Sequence, residues 1–142
     1  MDDNAQVMIN FANGAKGMLW TSVMARGGVY GLRVRVFGTK GSLEWVQNDP
    51  GYLRYNPAKG AVRLLERGFH NAAFSKNFSR IKFGHPEGYL DAFANIYKEF
   101  ASSLKNKTKK RYFYPNEDEG FETAKFINAC KISSKQKKWV KI

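Results

Sequence analysis

The sequence predicts an α+β fold: one open-faced, mainly antiparallel β-sheet of about six or more strands, with two helices packed on one face. Three observations predict this fold. Short segments of alternating apolar and polar residues fill the first half of the chain, turn residues separate them, and two segments with helical spacing follow. Strands that come before helices in this way are typical of an antiparallel sheet rather than of alternating parallel units.

The strands are predicted where a two-residue period lies between turn signals. Val7, Ile9 and Phe11 alternate with polar neighbours, and Asn13-Gly14 then predicts a hairpin because both residues tolerate positive φ. The partner strand is expected over about residues 16–24. The other predicted strands cover residues 32–36, 42–46, 52–55 and 62–66, and residues 139–142 are predicted as a last edge strand.

The two helices are predicted from apolar stripes and their start signals. Pro86 suits the first position of a helix, and Glu87 suits its positive end. Asn116 and Glu119 have the spacing of a capping box, which predicts the start of the second helix. The stripe of the first helix consists of Tyr89, Leu90, Phe93, Ile96, Tyr97, Phe100 and Leu104.

Length and composition limit the class of protein. A chain of 142 residues predicts one domain over residues 1–142, and 43% hydrophobic residues exclude a disordered chain. No apolar stretch is long enough for a membrane helix, so no membrane partner is expected. The single cysteine, Cys130, excludes a disulfide framework within the chain and favours a cytoplasmic location. Its thiol is expected to be a small buried apolar group.

The motifs of common enzyme classes are absent from the sequence. It contains no GxGxxG, GxxxxGK[ST], HExxH, CxxC or GxSxG pattern. With two histidines and one cysteine, it offers no complete set of nucleophile, base and orienting group. We therefore predict no catalytic residue and no metal ligand in this chain.

The two histidines differ in what their surroundings predict. His85 comes just before the predicted helix start, where its ring either contacts a substrate hydroxyl or simply ends a loop and caps the helix. His70 lies in a phenylalanine-rich loop over residues 68–84 and is expected to be structural or solvated. A loop of that length is usually functional or crosses a surface.

The net charge of +12 raises a second class of function, a nucleic-acid-binding module. Arg33 and Arg35 share one strand face, and Trp20 and Tyr30 supply aromatic rings that a base would stack on. The competing interpretation is a sheet face that solvent or a protein partner covers, because the RNP1 pattern is missing. A non-catalytic scaffold domain is a third alternative.

Four segments taken together resemble a known family. They are residues 7–17 (VMINFANGAKG), 36–45 (VFGTKGSLEW), 84–94 (GHPEGYLDAFA) and the closing 133–140. In this order and spacing they resemble the C-terminal domain of the glucose–fructose oxidoreductase, inositol dehydrogenase and MocA family. The resemblance covers nearly the whole chain, and the GHPEGY piece is similar to the inositol and sugar dehydrogenase branch.

The resemblance implies a two-domain enzyme that uses NAD or NADP. An N-terminal Rossmann domain would bind the cofactor, and the sheet domain would shape the pocket for a sugar or cyclic polyol. The family's sheet commonly packs against a second copy, which implies a homo-oligomer through the open sheet face. The whole enzyme would transfer a hydride between a secondary alcohol carbon and the nicotinamide.

The chain departs from the family pattern in what it lacks. The glycine-rich phosphate loop, the Glu-Lys-Pro motif and the Asp/His pair of the family lie upstream of the position matching Asp2, so the chain is expected to be a fragment. Alone it is expected to be inactive and to bind no cofactor. His85 and Tyr89 match the family motif and are candidate substrate contacts. Arg80 and Lys82 are further candidates, from charge and proximity.

Overall fold

A computed structural model describes residues 3–28, 31–68, 78–82, 84–106 and 112–142. Its six strands all pair antiparallel and its two helices follow them, which confirms the α+β fold. The strands are β1 Asn4–Asn10, β2 Lys16–Ser22, β3 Arg33–Gly38, β4 Gly41–Val46, β5 Tyr52–Pro57 and β6 Arg63–Glu66. The helices are α1 Tyr89–Lys105 and α2 Glu117–Gln136.

The chain divides into two compact units, the first formed by residues 1–28 and 115–142. In it β1 and β2 form the predicted hairpin, in which Val7 lies opposite Leu19 and Met8 opposite Met18. The turn differs from the prediction because only Gly14 has a positive φ, of 89°. The Asn13 side chain instead accepts a hydrogen bond from the Ala15 amide at 3.1 Å, which stabilises a longer turn.

The second helix begins where the capping-box spacing predicts. The Glu119 amide donates to Asn116 Oδ1 at 2.9 Å, and the Asn116 amide donates to Glu119 Oε2 at 3.1 Å. These two bonds satisfy amides that a helix start leaves without partners. The helix ends at Gln136, and the capping residue Lys137 that follows has a left-handed conformation with a φ of 53°.

The second unit, residues 29–114, contains the meander β3–β4–β5–β6 and α1. Gly41 sets the spacing between two of its strands. A Cβ atom there would lie 2.4 Å from the Asn56 carbonyl oxygen, and the Gly41 φ is 145°. Any larger residue at position 41 would therefore push β4 and β5 apart.

The first helix begins three residues later than the sequence predicts, at Tyr89 rather than Pro86. The Gly88 amide donates to Asp91 Oδ2 at 3.0 Å, so Asp91 supplies the acidic group of the first turn. Glu87 does not fill that role, because its carboxylate pairs with Arg67. Residues 84–88 are therefore a loop that leads into α1.

Three other expectations need correction. The six described strands form a two-stranded sheet in the first unit and a four-stranded sheet in the second, where the sequence predicts one sheet. Residues 139–142 form no strand. Cys130 is half-buried rather than buried. His70 and Tyr30 lie outside the described residues, and the single domain over residues 1–142 stays a prediction.

No residue is fully buried in the part of the chain that the structure describes. Apolar side chains nevertheless line up across the four-stranded sheet, where Val34, Trp45, Leu53 and Leu65 lie opposite one another in register. Val34 is 47% exposed, and the other three are half-buried. Within the described helices we find none that is long and apolar enough to cross a membrane.

Candidate functional site

The Gly84–Gly88 loop borders a cavity of about 210 Å³ in the second unit. Three segments that are distant in sequence form its walls: the β4–β5 turn with the start of β5, the end of β6, and the loop before α1. The described lining residues are Asp49, Pro50, Gly51, Tyr52, Glu66, Arg67, Gly84, His85, Pro86 and Glu87.

An ion pair holds the loop against the sheet. Arg67 Nη1 lies 2.5 Å from Glu87 Oε2, with the Arg67 side chain 18% and the Glu87 side chain 6% exposed. Arg67 also donates to the backbone oxygens of His85, at 2.9 Å, and of Ile81, at 3.3 Å. One guanidinium therefore joins the end of β6 to His85 and Glu87 of the loop and to Ile81 just before it. Charge-assisted bonds of this kind are stronger than neutral ones.

His85 is the one sequence-predicted candidate that lines the cavity. Its amide donates to the Lys82 carbonyl oxygen at 3.3 Å, across a turn in which Gly84 has a φ of 80°. Its own carbonyl oxygen is held by Arg67. The backbone of His85 is thus fixed from both sides, while the residue itself remains exposed. Its predicted contact with a substrate hydroxyl stays a prediction.

Tyr89 and Lys82 lie outside the described lining. Tyr89 is the first residue of α1, is 64% exposed, and packs its ring edge-on against Phe93 with 5.0 Å between the ring centroids. Lys82 is exposed, and its backbone oxygen accepts the His85 amide. The structure therefore groups neither side chain with the cavity walls.

Arg80 is bonded within its unit and is not among the described lining residues of the cavity. Its side chain donates to Asn95 Oδ1 and to the Ala94 backbone oxygen, both at 2.9 Å. Its amide donates to Glu87 Oε1. Arg80 therefore ties the segment before the loop to α1, and its guanidinium is already bonded.

The sequence reasoning missed the other side of the cavity. Tyr52 and Glu66 lie directly opposite each other on β5 and β6, so one register position supplies a phenol and a carboxylate. Asp49 adds a second carboxylate from the preceding turn. The strand alternation contained the signal for Tyr52 and Glu66, but nothing in it linked that pair to His85.

The lining suits hydrogen bonding to hydroxyl groups more than it suits bond-breaking. A carboxylate accepts several hydrogen bonds, a phenol both donates and accepts, and an imidazole donates or accepts according to its protonation. Searching the described residues finds no group of three or more His, Cys, Asp or Glu side chains suited to a metal ion. The cavity can thus orient a polyhydroxylated ligand.

A second surface lies on the β1–β2 hairpin in the first unit. Met8 and Met18 lie opposite each other on one face, with exposed fractions of 66% and 70%. Trp20 is on the same face and is 61% exposed, with its ring nitrogen held by Asn4 Oδ1 at 2.9 Å. Exposed apolar side chains grouped in this way are typical of a protein interface.

Comparison with known proteins shows the family to which the chain belongs. The model of the "Oxidoreductase family, C-terminal alpha/beta domain" matches residues 1–142. The uncharacterized oxidoreductase YfiI of Bacillus subtilis (strain 168) is 34% identical over 96% of this chain. The chain spans 36% of the length of that relative.

Solved structures agree with this match. An oxidoreductase from Sinorhizobium meliloti is 47% identical and superimposes with a TM-score of 0.92 over 99% of this chain and 42% of its own. An inositol dehydrogenase homolog from Azotobacter vinelandii, complexed with NADH and myo-inositol, is 30% identical and has a TM-score of 0.87. This chain is covered to 95% in that superposition, and the homolog to 38%.

Proposed function

The chain belongs to the C-terminal alpha/beta domain family of the oxidoreductases, and we propose that it forms the substrate side of an NAD-dependent enzyme that oxidises a sugar or cyclic polyol. The observation that carries the proposal is the cavity that His85, Tyr52 and Glu66 line together. All three are suited to hydrogen-bond a ring hydroxyl. The Azotobacter vinelandii homolog, solved with NADH and myo-inositol, supports the class of reaction.

The described part of this chain does not fit the cofactor. Dinucleotide binding uses a parallel βαβ unit with a glycine-rich turn, whereas every strand pair described here is antiparallel. We therefore assign NAD or NADP to the remaining part of a longer parent protein, an N-terminal Rossmann domain. The groups that handle the hydroxyl proton are assigned to that part too. A cytoplasmic parent accords with the single cysteine.

The hairpin face is our candidate for assembly with a second copy. Met8, Met18 and Trp20 leave most of their surface exposed, and burying such side chains against a partner is favourable by roughly 1.5–3 kcal/mol each. A two-fold dimer uses the same patch on both copies, so one apolar face is sufficient. We therefore propose the β1–β2 hairpin as the homo-oligomer surface.

A chimeric enzyme tests the reaction. This chain replaces the matching 38% of the Azotobacter vinelandii homolog, and NADH formation from NAD⁺ is followed with myo-inositol and a panel of neutral sugars. We expect the chimera to form NADH, and we expect no NADH from the host protein without the grafted chain. The Sinorhizobium meliloti oxidoreductase, at 47% identity, provides a second host in case the first chimera does not fold. A folded chimera that binds NAD⁺ but oxidises none of these compounds would contradict the proposal.

A further inference from the structure

We propose that the His85 cavity accepts neutral or amino-substituted polyhydroxylated rings and rejects phosphorylated or carboxylated ones. The inference rests on the proposed function, because it specifies the substrate class of that same site. It comes from the signs of the charges that line the cavity and from how those charges are paired.

Three carboxylates and one guanidinium line the described walls. Arg67 is the guanidinium, and its charge is balanced by Glu87 at 2.5 Å. Two further carboxylates, Asp49 and Glu66, have no other cation among the described lining residues. Counting only Asp, Glu, Lys and Arg, the described lining has one positive and three negative side chains, a sum of −2.

The negative charge of the described lining contrasts with the positive net charge of the unit around it. Over residues 29–114 the sequence has 16 Lys and Arg against 6 Asp and Glu, so this unit has a net charge of 16 − 6 = +10. Arg54, one row away from Tyr52 on the same sheet face, lies opposite Glu44 in the register rather than in the cavity wall. The described lining of the cavity is therefore acidic, although the unit as a whole is basic.

The pairing of Arg67 decides which ligand charge is tolerated. A phosphate or carboxylate binds most strongly where a cation offers free donors, and the Arg67 side chain already contacts Glu87, Ile81 and His85. An anionic ligand would instead meet Asp49 and Glu66 and would be repelled. A ring hydroxyl donates readily to these carboxylates, and an ammonium group adds charge attraction to the same contacts.

The test uses one ring in four charge states. Glucose, glucosamine, glucuronate and glucose 6-phosphate are titrated into the ¹⁵N-labelled 142-residue chain at fixed ionic strength, and amide shifts of Gly84, His85 and Gly88 give the dissociation constants. We expect glucosamine to bind tightest, glucose next, and both anions at least tenfold more weakly than glucose.

Two variants test whether the cavity carboxylates cause the selectivity for ligand charge. Glu66→Gln removes one cavity charge and is expected to narrow the preference for glucosamine over glucuronate by at least threefold. Glu44→Gln is the matched control, because Glu44 lies on the same sheet face outside the cavity and pairs with Arg33. The control is expected to leave the preference unchanged.

Two results of the titration would overturn the inference. Anions that bind as tightly as glucose would show that the lining charges do not select. Absence of binding by all four probes would show that the cavity, which lies within this chain, is not a ligand site. In either case the proposed reaction is judged separately, by NADH formation in the chimera.

Discussion

The loop at His85 and the β1–β2 hairpin differ in how strongly each is held by contacts within its own unit. The loop is tied to its own unit by buried charge, since Arg67 and Glu87 pair at 2.5 Å and Arg67 donates to two backbone oxygens. The hairpin leaves Met8, Met18 and Trp20 more than 60% exposed. The chain therefore fixes its candidate site by contacts within one unit, whereas its apolar hairpin face is exposed and is the surface that we propose for a second copy.

Removing the charge that holds the loop is expected to give the largest effect. Arg67→Met leaves the Glu87 carboxylate, 6% exposed, without its counter-ion, which costs roughly 3–5 kcal/mol in comparable buried pairs. Urea unfolding measures this in a Trp20→Phe, Trp139→Phe background, where Trp45 reports on the second unit. Its ring nitrogen donates to the Pro50 backbone oxygen at 3.2 Å, beside the cavity.

An exposed ion pair in the same unit provides the control. Arg33 lies 3.4 Å from Glu44, with the Arg33 side chain 59% exposed. Because solvent screens such a pair, Arg33→Met is expected to change stability by about 1 kcal/mol or less. Equal losses for Arg67→Met and Arg33→Met would show that the loop is not specially fixed, and the contrast between loop and hairpin would fail.

The second-largest effect is expected from a substitution that introduces a charge on the hairpin face. Trp20→Glu places two carboxylates near each other in a two-fold interface and removes a large apolar side chain. We expect the dimer dissociation constant, measured by sedimentation, to rise at least 30-fold, equivalent to about 2 kcal/mol. Trp139→Glu is the control, because Trp139 is similarly exposed at 64% but lies outside the hairpin. A wild-type chain that stays monomeric at high micromolar concentration would contradict the interface.

The smallest effect is expected at the start of α2. Asn116→Ala removes the acceptor of the Glu119 amide and should destabilise the helix by about 1 kcal/mol. Faster hydrogen exchange of the α2 amides, with unchanged exchange in β3–β6, would show that the loss is confined to the first unit. Asn128→Ala, within α2, is the control and is expected to slow exchange or leave it unchanged. Unchanged or slower exchange of the α2 amides in Asn116→Ala would show that the cap does not stabilise the helix.

Local patterns made the elements predictable. The two-residue alternation located all six strands, and the spacing of Asn116 and Glu119 located the start of α2. The start of α1 was wrong by three residues because Pro86 and Glu87 carry helix-start signals, while a distant arginine, Arg67, recruits Glu87 into the loop. A pairing between residues 20 positions apart leaves no trace in local spacing.

The same reason limited prediction of the site. His85 stood out because of its motif and does line the cavity. Arg80 was predicted from its charge, and its guanidinium is bonded to α1; its contact with a substrate stays a prediction. Tyr52 and Glu66 reach the cavity only through the β5–β6 register. Charge and motif can therefore nominate single residues, but the opposite wall of a cavity depends on tertiary structure.

The most direct measurement is kcat/KM for myo-inositol in the Azotobacter vinelandii chimera with His85→Ala or Lys82→Ala in the grafted chain. His85 lines the cavity and Lys82, three residues earlier, does not. If the cavity is where the polyol binds, His85→Ala lowers kcat/KM at least tenfold and Lys82→Ala lowers it less than threefold. Equal values for the two variants would contradict the assignment of the polyol to this cavity.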